Sequence, residues 1–272
     1  MQGVEVVFHT AAMLGTPRSP QQMKAVTAGG TSNVLQAAAK AGVRRVVHTS
    51  SVAALGVPES VAQPGGGRTP LLMDERHTWN YRPEWWAYGY AKYQAEMAVQ
   101  QAVASGLDVV IVNPAVVLGA GDLNRVSGDI VVQVAHGRVP VTAPGGLNVV
   151  HIADVVRGHL AALERGRTGE RYILGGDNLT IVRFLEIVAE VVKRQPPRWI
   201  APAAITRLLA SPVSAVQSWL PLPVGGDLLR KAGHYFYYDT LKARVELGLA
   251  HPLPARQAIS DAYRWYEAKG LL

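Results

Sequence analysis

Three short apolar runs decide what this chain can fold into. VEVVF (Val4–Phe8), RVVHT (Arg45–Thr49) and LDVVIVN (Leu107–Asn113) place aliphatic residues side by side instead of alternating them with polar ones. A strand with one wet face alternates. A strand covered on both faces does not, and such strands build parallel sheets between helices. Helical segments separate the runs. Gln21–Ala41 is rich in alanine and stops at Gly42, and Glu84–Ser105 stops at Gly106. Strand–helix alternation predicts an α/β protein with a doubly wound parallel sheet.

Beyond Asn113, Pro114 ends the strand, and a short helix is expected at Asp129–Ala135 between Gly128 and Gly137. A short strand at Val149–Ile152 leads into a helix at Ala153–Arg165, whose Asp154 sits near the positive end of the helix dipole. A strand is expected at Arg171–Leu174, an amphipathic helix at Thr180–Arg194, a short aromatic stretch at Tyr235–Tyr238, and helices at Asp239–Leu247 and Pro254–Gly270. Ala54–Asn80 reads as a long loop containing Gly65, Gly66 and Gly67, and loops of that length are usually functional. The 272 residues, 49% hydrophobic and 17% charged, suffice for one large core with a smaller lobe. Residues 1–150 are expected to form the core, and 151–272 mainly the lobe, interleaved with it.

Two motifs carry chemistry. VVHTSSVAALG (Val46–Gly56) is a strand running into a hydroxyl-rich tip, and YGYAKYQAE (Tyr88–Glu96) holds a helical Tyr-x-x-x-Lys. Tyr88 and Lys92 lie one turn apart on one helix face. An ammonium beside a phenol favours the phenolate and is expected to lower the tyrosine pKa toward working pH. That suits proton exchange with an alcohol oxygen, which Ser51 at the strand tip can hold. Either motif alone is weak: a solvated helix face explains Tyr88 and Lys92, and a helix cap explains Thr49, Ser50 and Ser51. Their order along the chain gives the pair its weight.

Composition excludes several classes. There is no cysteine, so disulfides and thiolate metal sites are absent. No H-E-x-x-H is present, and His9, His48 and His151 lack metal-ligand spacing; His48 reads first as a core histidine. The 27 Lys and Arg outnumber the 20 Asp and Glu, giving +7, but they are dispersed, which argues against nucleic acid. No run reaches the length of a membrane span, and no signal peptide is visible, so a cytoplasmic protein is expected. Ile200–Val224 is nearly apolar yet holds Arg207, Pro202, Pro212, Pro221 and Pro223; it reads as two short helices over a pocket.

In order, these segments resemble the extended short-chain dehydrogenase/reductase superfamily, in the branch of NAD-dependent epimerase/dehydratases and dihydroflavonol-reductase-like or 3β-hydroxysteroid-dehydrogenase-like enzymes. VEVVFHTAA (Val4–Ala12) resembles the strand and loop beneath the cofactor, VTAGGTSNVLQAA (Val26–Ala38) the helix after it, with Thr27 where that family usually has Asn. VVIVNPAVVLGAGD (Val109–Asp122) resembles the strand and loop at the nicotinamide, NVVHIADVVRGHLAAL (Asn148–Leu163) the passage into the substrate region, and AISDAYRWYEAKGLL (Ala258–Leu272) the closing helix.

The resemblance implies a Rossmann-like NAD(P)-binding fold and a catalytic set of Ser51, Tyr88 and Lys92. It implies cofactor contacts from Thr10, Ala11, Ala12, Thr49, Ser50, Tyr88, Lys92, Asn113, Pro114, Val116 and Val117, and substrate contacts from Ser51, Trp86 and His151, with NAD or NADP as cofactor and no metal. The G-x-x-G-x-x-G cradle that opens such proteins follows no strand here, so an N-terminally truncated sheet is expected, with Val4–Phe8 as an exposed edge prone to self-association or homodimerisation.

The expected function is an NAD(P)-dependent oxidoreductase or epimerase acting on a CH–OH or C=O group of a small alcohol, ketone or nucleotide-sugar-like substrate, with Tyr88 as acid/base. Trp85, Trp86 and Ile200–Val224 favour a hydrophobic substrate. The competing reading is a catalytically impaired fragment that binds a partner chain.

Overall fold

A computed structural model describes residues 1–13, 20–62, 68–217 and 226–272. Gly65, Gly66, Gly67, Pro221 and Pro223 therefore lie outside the described residues.

The three apolar runs lie side by side, all parallel, in a four-stranded sheet ordered Val6–His9, Arg45–Thr49, Val109–Pro114, Arg171–Leu174. Register is fixed at the centre by Val47 opposite Val110 and His48 opposite Ile111. The sheet core is dry: Val46, Val47, Val109, Val110, Ile111 and Val112 are all fully buried. One face packs on Gly30–Lys40 and Ala87–Ala104 through Leu35, Ala38 and Val99. The other packs on Ile152–Arg165 through Val155, Ala161 and Ala162. Both faces are thus covered, which is why the strands read as apolar runs.

A second sheet of three strands is ordered Asp177–Thr180, Gly146–His151, Val116–Leu118. Ile181–Val192 and Ala255–Ala268 pack over it around Val149, Phe184, Val188 and Ile259. Asn148 secures the link at Gly175 and Gly176 by which the chain passes from the first sheet to the second. Its buried amide donates to the Gly176 carbonyl at 3.0 Å and to Asn178 Oδ1 at 2.8 Å, and its Oδ1 accepts from the Gly176 N–H at 2.8 Å. Asp122 closes the far end, accepting from the Val126, Ser127 and Gly128 N–H groups and from the Tyr266 hydroxyl.

Several boundaries differ from expectation for physical reasons. The first strand begins at Val6, because the chain turns at Gly3 (φ 71°). The Gln21–Ala41 helix is broken by a π-helical turn, Ala25–Gly29, where the Thr31 hydroxyl reaches back to the Thr27 carbonyl at 2.7 Å. Glu84–Ser105 splits into a 3₁₀ turn at Pro83–Trp85 and a helix that starts at Ala87; Trp86 leaves helical geometry (φ −153°, ψ 72°) to bury its ring. The Ala54–Asn80 loop holds Ser60–Ala62 paired antiparallel with Arg68–Pro70, and Met73 bridges to Tyr238. Ile200–Val224 carries two short helices, Ala203–Leu208 and Ala210–Gln217, within its described part.

Asn148→Ala would leave the Gly176 N–H and C=O unpaired between the two sheets. The expected cost is about 1–3 kcal/mol, read as a lower urea midpoint at unchanged m-value.

Candidate active site

Ser51, Tyr88 and Lys92 meet at the C-terminal edge of the parallel sheet, where open α/β sheets bind ligands. Ser51 follows the Arg45–Thr49 strand and caps the 3₁₀ turn Val52–Leu55, its Oγ accepting from the Ala53 N–H at 3.2 Å. The Ala87–Ala104 helix presses its first turn onto that cap. Gly89 permits the approach: a Cβ there would sit 2.8 Å from the Ala53 carbonyl oxygen and 2.8 Å from the Trp79 ring. The Ser51 hydroxyl and the Tyr88 phenol are thereby brought together, close enough for Ser51 to favour the phenolate.

Lys92 lies one turn further along, 3% exposed, and its Nζ donates to the Thr49 carbonyl at 2.9 Å. Burial lowers its pKa to about 8, opposed by the charge of Glu96. His9 and His48 stand near it, both driven toward the neutral form by burial and by the Lys92 charge. His9 pairs with the Thr31 hydroxyl at 3.0 Å, which ties the π-helical turn to the site.

The tyrosine corrects one expectation. The Tyr88 pKa is raised, not lowered. Burial disfavours the phenolate and outweighs the opposing effect of Ser51, while the ammonium expected to favour it is held by the Thr49 carbonyl. Tyr88 therefore carries its proton at neutral pH.

The other sequence-derived residues fall into three groups. Thr10 and Ala11 are exposed and Ala12 half-buried beyond the first strand, while Val116 and Val117 are half-buried beyond the third. Thr49, Ser50 and Asn113 turn inward. The Thr49 hydroxyl bonds His159 Nε2 at 2.8 Å, Ser50 donates to Glu96, and the fully buried Asn113 amide donates to the Ser51 carbonyl at 3.0 Å; Pro114 is buried beside it. Trp86 is packed edge-on against Phe236 and lies beneath Lys231, whose Nζ is 4.1 Å from the ring centroid. His151 is engaged at both nitrogens: Nδ1 accepts from the Ala153 N–H at 3.0 Å, so the proton sits on Nε2 and goes to Asp261 at 3.0 Å. Among the described residues no cluster of His, Cys, Asp or Glu could hold a metal.

Glu96 and Arg171 escaped the sequence reading. Glu96 had a signal, since it continues the Tyr88–Lys92 spacing by one more turn. Arg171, on another strand, had none.

The donor set fits the nicotinamide end of a dinucleotide. Lys92 keeps ammonium hydrogens beyond the one given to Thr49, Tyr88 lies one helical turn before it, and exposed small residues at Thr10 and Ala11 leave the sheet edge open.

A parallel sheet covered by helices on both faces defines an α/β protein of the Rossmann-like class. The chain belongs to the NAD dependent epimerase/dehydratase family, whose profile matches residues 1–175. It is 32% identical to a putative dihydroflavonol 4-reductase of Synechocystis sp., over 99% of this chain and 78% of that protein. It is 31% identical to sterol demethylase protein B of Methylococcus capsulatus, over 100% of this chain and 81% of that protein. Among solved structures, a nucleoside-diphosphate-sugar epimerase from Pseudomonas aeruginosa superposes with a TM-score of 0.78 at 26% identity, covering 100% of this chain and 78% of that one. Structures sharing this fold hold NAD or NADPH, and the chain is an NAD(P)-dependent oxidoreductase or epimerase. The partner-binding fragment is not the favoured reading.

Lys92 yields a stability prediction. Its folded pKa of about 8 lies below its ordinary 10.5, so the unfolded chain binds the extra proton. The burial cost is full below pH 8 and is relieved as pH rises from about 8 toward 10.5. Wild type should therefore gain stability as pH rises from about 8 toward 10.5, a gain that Lys92→Met, with no group to titrate there, should lack. Denaturant titrations of both proteins at pH 7 and 10 check this; an equal stability difference at the two pH values would contradict it.

Proposed function

We propose that the protein reduces a carbonyl group on a small, largely apolar substrate, with Tyr88 as the proton donor. The observation that carries this is the meeting of Ser51 and Tyr88 at the sheet edge, with the buried Lys92 one helical turn on at the Thr49 carbonyl and Tyr88 held in its protonated form.

In this reading Ser51 donates a hydrogen bond to the substrate oxygen and fixes it against the Tyr88 hydroxyl. NADH or NADPH, when bound, supplies the hydride. As negative charge grows on the substrate oxygen, Tyr88 gives it a proton. Lys92 would hold the ribose hydroxyls with the ammonium hydrogens not given to the Thr49 carbonyl. Run in reverse, the same groups oxidise an alcohol.

The substrate side is aromatic. Trp79 lies 6.0 Å from Trp86 and 5.5 Å from Tyr90, and Trp86 lies 5.8 Å from Phe236. Such walls suit a flat apolar body better than a sugar. The relatives named for a dihydroflavonol and for a sterol agree with this. A nucleotide-sugar substrate is the second reading, favoured by the structural neighbour named a nucleoside-diphosphate-sugar epimerase. Trp86, Trp79 and Phe236 would then line the sugar end.

NADPH and NADH oxidation should be followed with a dihydroflavonol, a 3-keto steroid and UDP-glucose. Turnover of one of the first two, with UDP-glucose unchanged, is expected; epimerisation of UDP-glucose alone would reject the reductase reading. Tyr88→Phe should lower kcat by roughly 10²–10⁴-fold while NADPH still binds. A Tyr88→Phe enzyme with half the wild-type kcat would remove Tyr88 from the chemistry.

A further inference from the structure

The helix face that carries Tyr88 and Lys92 ends in a charge that the reaction does not use. Glu96 is fully buried, at 0% exposure. A carboxylate in that position is costly unless it is paired and hydrogen-bonded. Its partners all belong to the site's framework. Oε1 accepts from the Ser50 hydroxyl and, at 2.7 Å, from the Asn113 amide. Oε2 is ion-paired with Arg171, 2.7 Å from its Nε, without a hydrogen bond, and Arg171 donates from Nη1 to the His77 carbonyl at 3.0 Å.

These contacts converge on three consecutive residues. The Thr49 carbonyl is held by Lys92, the Ser50 hydroxyl by Glu96, and the Ser51 carbonyl by Asn113, whose amide is held in turn by Glu96. Ser51 is therefore set relative to Tyr88 by a group on Tyr88's own helix. Glu96 also acts directly on Lys92, since its negative charge supports the ammonium one turn away.

We propose that Glu96 is a positioning residue that holds the Thr49–Ser51 tip in register with Tyr88 and Lys92 and keeps Lys92 charged for the reaction. This rests on the assignment of Ser51, Tyr88 and Lys92 made above. The rival account is that Glu96 only neutralises Arg171. The two differ in what happens to Lys92.

Glu96→Gln keeps the size and the Oε1 acceptor and removes the charge. Lys92 can be followed by ¹³C NMR on protein labelled at lysine Cε, its signal identified by its loss in Lys92→Arg. In Glu96→Gln, Lys92 should titrate below its wild-type value of about 8. The pH profile of kcat should move in the same direction, with KM for NADPH changed less than about threefold while kcat falls about tenfold or more, a change in transition-state rather than ground-state binding. Glu96→Asp keeps the charge but withdraws it from Ser50 and Asn113. It should lower kcat without moving Lys92 as far. Should Arg171 left unpaired prevent folding of Glu96→Gln, Glu96→Asp, which keeps the negative charge, still tests the positioning through kcat. A folded Glu96→Gln with Lys92 titrating as in wild type, or a folded Glu96→Asp with wild-type kcat, overturns the proposal. If wild-type protein turns over none of the probe substrates, the functional reading falls, yet the Lys92 titration still judges Glu96.

Discussion

The hydrogen bond from Lys92 to the Thr49 carbonyl is the contact around which the site is arranged. It joins the Ala87–Ala104 helix to the tip of the second strand, and it decides what the lysine can do. A buried ammonium needs an oxygen, and the end of a parallel strand offers a backbone carbonyl. Because Lys92 satisfies itself there, it does not draw the proton from Tyr88 in the free protein. Gly89, Glu96 and Asn113 serve the same juncture: the glycine lets the helix come close, Glu96 holds the Ser50 hydroxyl, and Asn113 holds the Ser51 carbonyl.

The sheet was legible because burial on both faces writes itself into sequence as unbroken aliphatic runs. The three runs found that way became three neighbouring parallel strands. The second sheet was partly hidden. Val116–Leu118 is short, and Asp177–Thr180 begins with Asp-Asn, which have low strand preference; both exist because Gly146–His151 lies between them to pair with. The Ala87 helix start was misplaced because Trp86 trades helical geometry for burial, a tertiary choice that local spacing does not encode.

At the site, spacing told which side chains would meet but not how their charges would settle. Tyr88 and Lys92 do share a helix face with the strand tip. The sign of the tyrosine shift was misread because the Thr49 carbonyl is invisible to a side-chain pattern. His151 shows the same limit: its place in the chain suggested substrate, and its two nitrogens are spent on a helix cap and on Asp261. Glu96 stood within the quoted motif, yet a glutamate on a helix reads as solvated until Arg171 arrives from a distant strand to bury it.

The account stands most directly on the proton of Tyr88. Difference absorbance of phenolate at about 295 nm, titrated with pH in wild type and in Tyr88→Phe without cofactor, isolates that one group. The structure predicts that Tyr88 ionises above the ordinary tyrosine value of 10.0. A phenolate that is lost in Tyr88→Phe and forms near neutral pH in wild type would show that Lys92 does reach the phenol, and would contradict the arrangement described.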